Sequence, residues 1–242
     1  MKMTKIVACS LFIVFGSACS TQQLGDVLGV ALKSDTLSES DVSAGLREAL
    51  VNGITKGSDQ ASRPDGYLKN PLIKIPFPEN IQKVEKTLRK VGLDRLVDRF
   101  VVSLNRAAED AAIKAKPIFL SAIKSMTFRD AWGILNGEQH AATEYLRRTT
   151  ADQLYAAFKP AIEQSLAKVG ATRHYGEVVE SYNRIPLVKN VNPDLGDYAT
   201  NRATDGLFKL IEQEEERIRE DPLARTSELL RRVFAARDVP NR

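Results

Sequence analysis

Cysteine is almost missing from this chain of 242 residues; the two present, Cys9 and Cys19, both fall in the first 19 positions. Beyond them no intramolecular disulfide can form, so the rest of the chain must be held by its apolar core. Histidine is as scarce, with His140 and His174 alone. Neither sits in a ligand spacing such as His-Glu-x-x-His, and with no thiols nearby the sequence predicts no transition-metal site and no cofactor. The Gly-x-Ser-x-Gly elbow, the phosphate loop and the dinucleotide fingerprint are all absent, which removes the commonest hydrolase and nucleotide-binding chemistries. No apolar run reaches the roughly twenty residues of a membrane-spanning helix. Neither sign of charge dominates: 35 Lys and Arg stand against 31 Asp and Glu. They alternate rather than cluster, as on a solvated surface, and nucleic acid is not an expected partner. Lys114, Lys116, Lys124, Arg129, Arg147 and Arg148, the candidates for a basic face, are read the same way.

What is present begins at residue 1. Lys2 and Lys5 precede an apolar run over 6–15, and Gly16-Ser17-Ala18 places small residues before Cys19. This is the order of a secretory signal. The expectation is a signal peptide over 1–18, a lipidated Cys19, and a flexible tether over 19–38 that joins lipid to domain. Several acyl chains give stable membrane attachment where one does not. A bacterial lipobox usually carries Leu where this chain has Gly16, so ordinary cleavage and a soluble periplasmic product is the alternative. Ser20, not Asp, favours the periplasmic side of the outer membrane.

From 39 to 236 the pattern is helical, with a polar tail over 237–242. Val42, Leu46, Leu50 and Ile54 recur every fourth residue, with Gly57-Ser58 as the expected stop. Helices are then expected over 79–91, over 93–116 with Leu96, Phe100, Leu104, Ala108 and Ala111 inward, and from about 118 to 126 after Pro117. Thr127 and Asp130 are spaced to cap a helix over 131–135. A short helix follows over 138–148, and Thr150 with Gln153 looks like a fresh cap for another to about 169. Further helices are expected over 173–182 and 194–219, with Glu214, Glu215, Glu216, Arg217 and Arg219 as a solvated end. Asp221-Pro222 should open the last helix. The single Trp132 is assigned to core packing.

Two proline-rich connectors interrupt the helices. Tyr67 to Lys74 and Tyr182 to Lys189 share the frame Tyr-x3-Pro-Leu-(Ile/Val)-Lys. One reading pairs them as a two-stranded antiparallel ribbon; the other takes the match as chance. The expected fold is all-α: a single bundle-like domain with two extended segments.

The best polar constellation is Asn105, Arg106 and Glu109, one turn apart among the small residues Ala107, Ala108, Ala111 and Ala112. A carboxylate buried there needs a partner, and Asp130, Thr143, Glu144, Tyr145, Arg147 and Arg148 are candidates. The expected outcome is a structural polar network of Asn105, Arg106, Glu109, Thr143, Tyr145 and Arg147. The alternative is acid–base chemistry by Glu109 with Asp130.

Several stretches carry a family resemblance: Gly45-Leu46-Arg47-Glu48-Ala49-Leu50, Ile75-Pro76-Phe77-Pro78, Asn105-Arg106-Ala107-Ala108-Glu109 and Ala122-Ile123-Lys124-Ser125-Met126. Ala141-Ala142-Thr143-Glu144-Tyr145-Leu146-Arg147-Arg148 and Asp205-Gly206-Leu207-Phe208 extend it. Over 40–234 the chain resembles the bacterial exported proteins and lipoproteins grouped as DUF4197, a domain of unknown function. The resemblance implies an all-helical exported domain and brings no activity, cofactor or catalytic residue. The functional expectation is therefore a membrane-anchored envelope lipoprotein that binds a protein partner or an apolar ligand between its helices. A periplasmic hydrolase-like enzyme and a structural envelope spacer are the alternatives.

Overall fold

A computed structural model describes residues 38–79, 82–90, 92, 94–168, 170, 172, 175 and 194–238. The signal region, Cys19, the tether, His174, the helix expected over 173–182 and the second connector lie outside these residues, apart from Ser38, Tyr175 and the isolated position 172. The described chain is helical throughout. In order it forms α1 (Glu39–Ser62), α2 (Gln82–Lys90), α3 (Asp94–Ala112), α4 (Ala115–Ser125), α5 (Phe128–Asn136), α6 (Ala141–Lys168) and α7 (Leu195–Glu220). A 3-10 turn (Pro222–Ala224) and α8 (Glu228–Asp238) complete it.

Three long helices make the frame. α6 packs on α3 and α7, and α1 lies across α7, α8, α4 and α5. On α6 the residues Ala142, Leu146, Thr150, Leu154, Phe158, Ile162 and Leu166 are all buried. This repeat of four runs through Thr150 without a break. The Thr150 hydroxyl donates to the Leu146 carbonyl at 2.6 Å, a bond to the preceding turn that threonine makes inside helices. Thr150 therefore caps nothing, and the two helices expected over 138–169 are one.

α1 also outruns its expected end. Gly57 packs against Leu210 and Ile211 of α7, and that contact outweighs the roughly 1 kcal/mol helix penalty of glycine. The helix stops at Ser62 because Arg63 precedes Pro64 and is extended, with φ −76° and ψ 156°, as the proline ring demands of its neighbour. Proline sets the α3–α4 break as well. Pro117 would clash with the carbonyl four residues before it, at Ile113. The chain breaks at 113–114, and Pro117 sits in the first turn of α4, so the restart comes three residues before the expected one.

Other differences follow from which face is inward. On α3, Val97 is buried and Leu96 is 48% exposed. Trp132 is 51% exposed, stacked at 6.0 Å on Phe128, and is not core. Asp221 caps the 3-10 turn through the Leu223 N–H at 2.9 Å, so the last helix starts later, at Glu228. The cap at Thr127 forms as its spacing predicts: its hydroxyl accepts from the Asp130 N–H, and the Asp130 carboxylate accepts from the Thr127 N–H.

The first half of the expected ribbon forms no strand, and its partner, Tyr182 to Lys189, lies outside the described residues. Residues 67–73 are turns, and no strand is found among the described residues. In the first connector, Ile75 donates its N–H to Asn105 Oδ1 at 2.8 Å, and its carbonyl accepts from Asn105 Nδ2 at 2.9 Å. A side-chain amide takes the place that a neighbouring strand would occupy.

Candidate functional site

Two buried carboxylates organise the polar interior, and each grips a pair of successive main-chain N–H groups. Glu109, on α3, is the first. Its Oε1 accepts from the N–H groups of Tyr67 and Leu68, each at 3.1 Å. Its Oε2 accepts from Arg106 at 2.6 Å, and Arg106 also reaches Asp65 at 2.6 Å. The bonds to Lys69 and Arg106 hold the Asp65 carboxyl below its ordinary range. The connector is further pinned by the Tyr67 hydroxyl, which donates to the Ala203 carbonyl of α7 at 2.6 Å. Burial keeps that phenol protonated far above its usual range. Glycine is required at two places for this turn to dock. A Cβ on Gly66 would lie 2.3 Å from the Gln60 carbonyl oxygen, and one on Gly206 would lie 2.9 Å from the Tyr67 ring.

Glu215, on α7, is the second grip. Its carboxylate accepts from the N–H groups of Ala142 at 3.0 Å and Thr143 at 2.8 Å, and from the Thr143 hydroxyl at 2.8 Å. These amides belong to the open N-terminal turn of α6, where the helix dipole also favours a negative charge. Arg219 donates twice to Glu215 Oε1, at 2.9 and 2.8 Å. It also donates to the carbonyls of Ile134 at 2.8 Å and Leu135 at 3.5 Å, at the C-terminal end of α5. One ion pair thus closes two helix ends. Arg225 extends the cluster by donating to the carbonyls of Ile218 and Arg219, at 3.1 and 2.9 Å. Glu215 and Arg219 are buried at 8% and 7% exposure, which corrects their assignment to a solvated helix end.

The expected single network is therefore several. Asn105, Arg106 and Glu109 act together, but their partners are the 65–75 turn. Thr143 belongs to the Glu215 grip. Tyr145 donates to the Ala122 carbonyl at 3.4 Å. Arg147 lies 4.5 Å over the Phe208 ring and pairs with Asp205 at 3.1 Å. Asp130 closes the α5 cap, and its bonds to Thr127 hold its carboxyl below the ordinary range. Nothing in the hydrogen bonding joins Asp130 to Glu109.

A cavity of about 30 Å³ lies among α1, α5, α7, α8 and the start of α6, lined by Leu46, Ile54, Ile134, Ile211 and Phe234 beside Glu215. It has room for about one or two waters. A wider groove of about 410 Å³ opens between the first connector, α2 and α3, lined by apolar Leu68, Phe77, Val101 and Val102 and by charged Lys74, Glu85, Arg89 and Asp98. None of the described helices is long and apolar enough to cross a membrane.

Comparison with known proteins adds one relationship. The model of a family described as a protein of unknown function, DUF4197, matches residues 36–235, and the chain belongs to that family. No curated protein and no solved structure matches it.

Proposed function

We propose that this DUF4197 member is an envelope lipoprotein, anchored through Cys19 on the periplasmic side of the outer membrane, whose helical body binds a partner protein. The leader pattern over residues 1–19 supports the address. The observation that favours binding over acid–base catalysis is the state of Glu109. Two main-chain N–H groups and Arg106 occupy its oxygens, and it is 3% exposed. A general acid or base must reach a proton on a substrate, and Glu109 has no free face to offer one. The waters-only size of the interior cavity favours a protein partner over an apolar ligand held between helices. The groove beside Val101 and Val102, lined by both apolar and charged side chains, suits an apolar segment of another envelope protein.

Two experiments test this reading. Fractionation of a bacterial host making the full chain should find it with the outer membrane, and the Cys19→Ser variant in the soluble periplasm. A photo-crosslinker at Val102 should trap a discrete partner band that Val101→Asp abolishes. A wild-type chain that is soluble would overturn the anchor, and a Val102 crosslinker that traps nothing would overturn the binding surface.

A further inference from the structure

The register that Glu215 imposes has a second effect on the solvent side of α7. Glu215 holds the N–H groups of Ala142 and Thr143, so the residue just before α6, His140, is set over the next face of α7. The His140 carbonyl accepts from the Glu144 N–H at 2.9 Å, which fixes its main chain as the start of α6. Its Nε2 then faces Glu212 Oε1 at 3.5 Å and Glu216 Oε1 at 3.7 Å. The two carboxylates are one helical turn apart, and the three ligand atoms lie within 4.8 Å of one another.

These separations are long for hydrogen bonds, and they suit something else. Two ligand atoms about 2.1 Å from a common ion, at a tetrahedral angle, lie about 3.4 Å apart. The imidazole is otherwise idle: its Nδ1 is buried and has no hydrogen-bond partner. The surroundings are net negative. Lys209 contributes one positive charge, donating to Glu212 Oε1 at 3.0 Å from a half-exposed side chain that can swing away. Gln139 turns aside to Glu220 at 2.8 Å.

We propose that His140, Glu212 and Glu216 form a binding site for a divalent ion of the zinc class. One imidazole and two carboxylates make a borderline donor set, which selects zinc over magnesium or calcium. The remaining coordination positions face solvent and are filled by water. The ion ties the start of α6 to α7 on the outer side of the Glu215 grip. Lys209 competes with it for Glu212.

The test is a titration of the chelator-stripped full chain with Zn²⁺ and, separately, Mg²⁺, followed by calorimetry and thermal unfolding. Co²⁺ absorption identifies the donor atoms. The expected result is one Zn²⁺ per chain, a raised Tm, no comparable Mg²⁺ binding, and a Co²⁺ spectrum without thiolate charge transfer. His140→Ala should weaken Zn²⁺ binding by roughly tenfold or more. Glu216→Gln, on an exposed part of the helix that leaves folding untouched, should do the same if His140→Ala does not fold. Zn²⁺ binding unchanged in Glu216→Gln, thiolate bands that place the ion on Cys9 or Cys19, or equal binding of Mg²⁺ would each overturn the proposal.

Discussion

The Glu109 and Glu215 grips solve one problem in two settings. Each carboxylate holds two consecutive amides of a segment distant in sequence, and each is neutralised by an arginine on its own helix. The difference is solvent. The Arg219 side chain is 4% exposed and that of Arg106 is 42% exposed. Arg219 has only Glu215 and the carbonyls of α5 to satisfy it, whereas Arg106 can turn to Asp65 or to water. An ion pair removed from water is costly to form and more costly to break halfway. The Glu215 pair is therefore the rigid joint of the fold, and the Glu109 pair is a fastening for a surface turn.

Breaking each pair should expose this difference. Glu215→Ala strands two amides, a hydroxyl and a buried guanidinium, and should cost about 4 kcal/mol in urea unfolding. Glu109→Ala should cost less, about 2 kcal/mol, because Arg106 and the 65–68 turn can recruit water. If the two losses are equal, or reversed, solvent access is not what separates the grips. Removing both charges sharpens the point. Glu215→Gln with Arg219→Met keeps one oxygen acceptor and removes both charges of the pair, and should recover about 2 kcal/mol relative to Glu215→Ala.

The smallest effect is on the exposed flank of the Glu109 grip. The Asp65 pKa lies below its ordinary 3.8 because of Lys69 and Arg106. A carboxyl with a depressed folded-state pKa contributes stability that is present above 3.8 and lost as pH falls through the folded value. Asp65→Asn should therefore remove a small increment at neutral pH and flatten the acid limb of the unfolding curve. An acid limb identical to the wild type would dismiss the Asp65 contribution.

The helical class, the α5 cap and the inward stripes of α1 and α7 were readable because each depends on local spacing. Glu109 was readable as buried because alanines surround it. Its partners were not, because an amide of Tyr67 carries no side-chain signal and lies 42 residues away. Glu215 was hidden differently. It sits in a run with Glu216 and Arg217, which are more open to solvent, and with Glu214, whose side chain is 12% exposed and paired with Lys56; only the packing of α6 and α5 across α7 sets Glu215 apart from the run. Thr150 misled because the same hydroxyl that caps a helix can bond back into one. His140 carried no metal signal because its two acidic neighbours are on another helix, 72 and 76 residues on. The stretches that carry the family resemblance do meet in space: Asn105 holds Ile75, and Arg147 covers Phe208.

Both grips take hold of the main chain. At the half-buried Leu68 most residues leave these bonds intact, whereas Tyr67, Ala142 and Thr143 are buried and also constrained by their own side-chain contacts. One replacement is barred at all four gripped sites, 67, 68, 142 and 143, since proline has no N–H to offer. In a mutational scan the four positions should therefore share one empty column, proline, beyond whatever the packing of each side chain forbids.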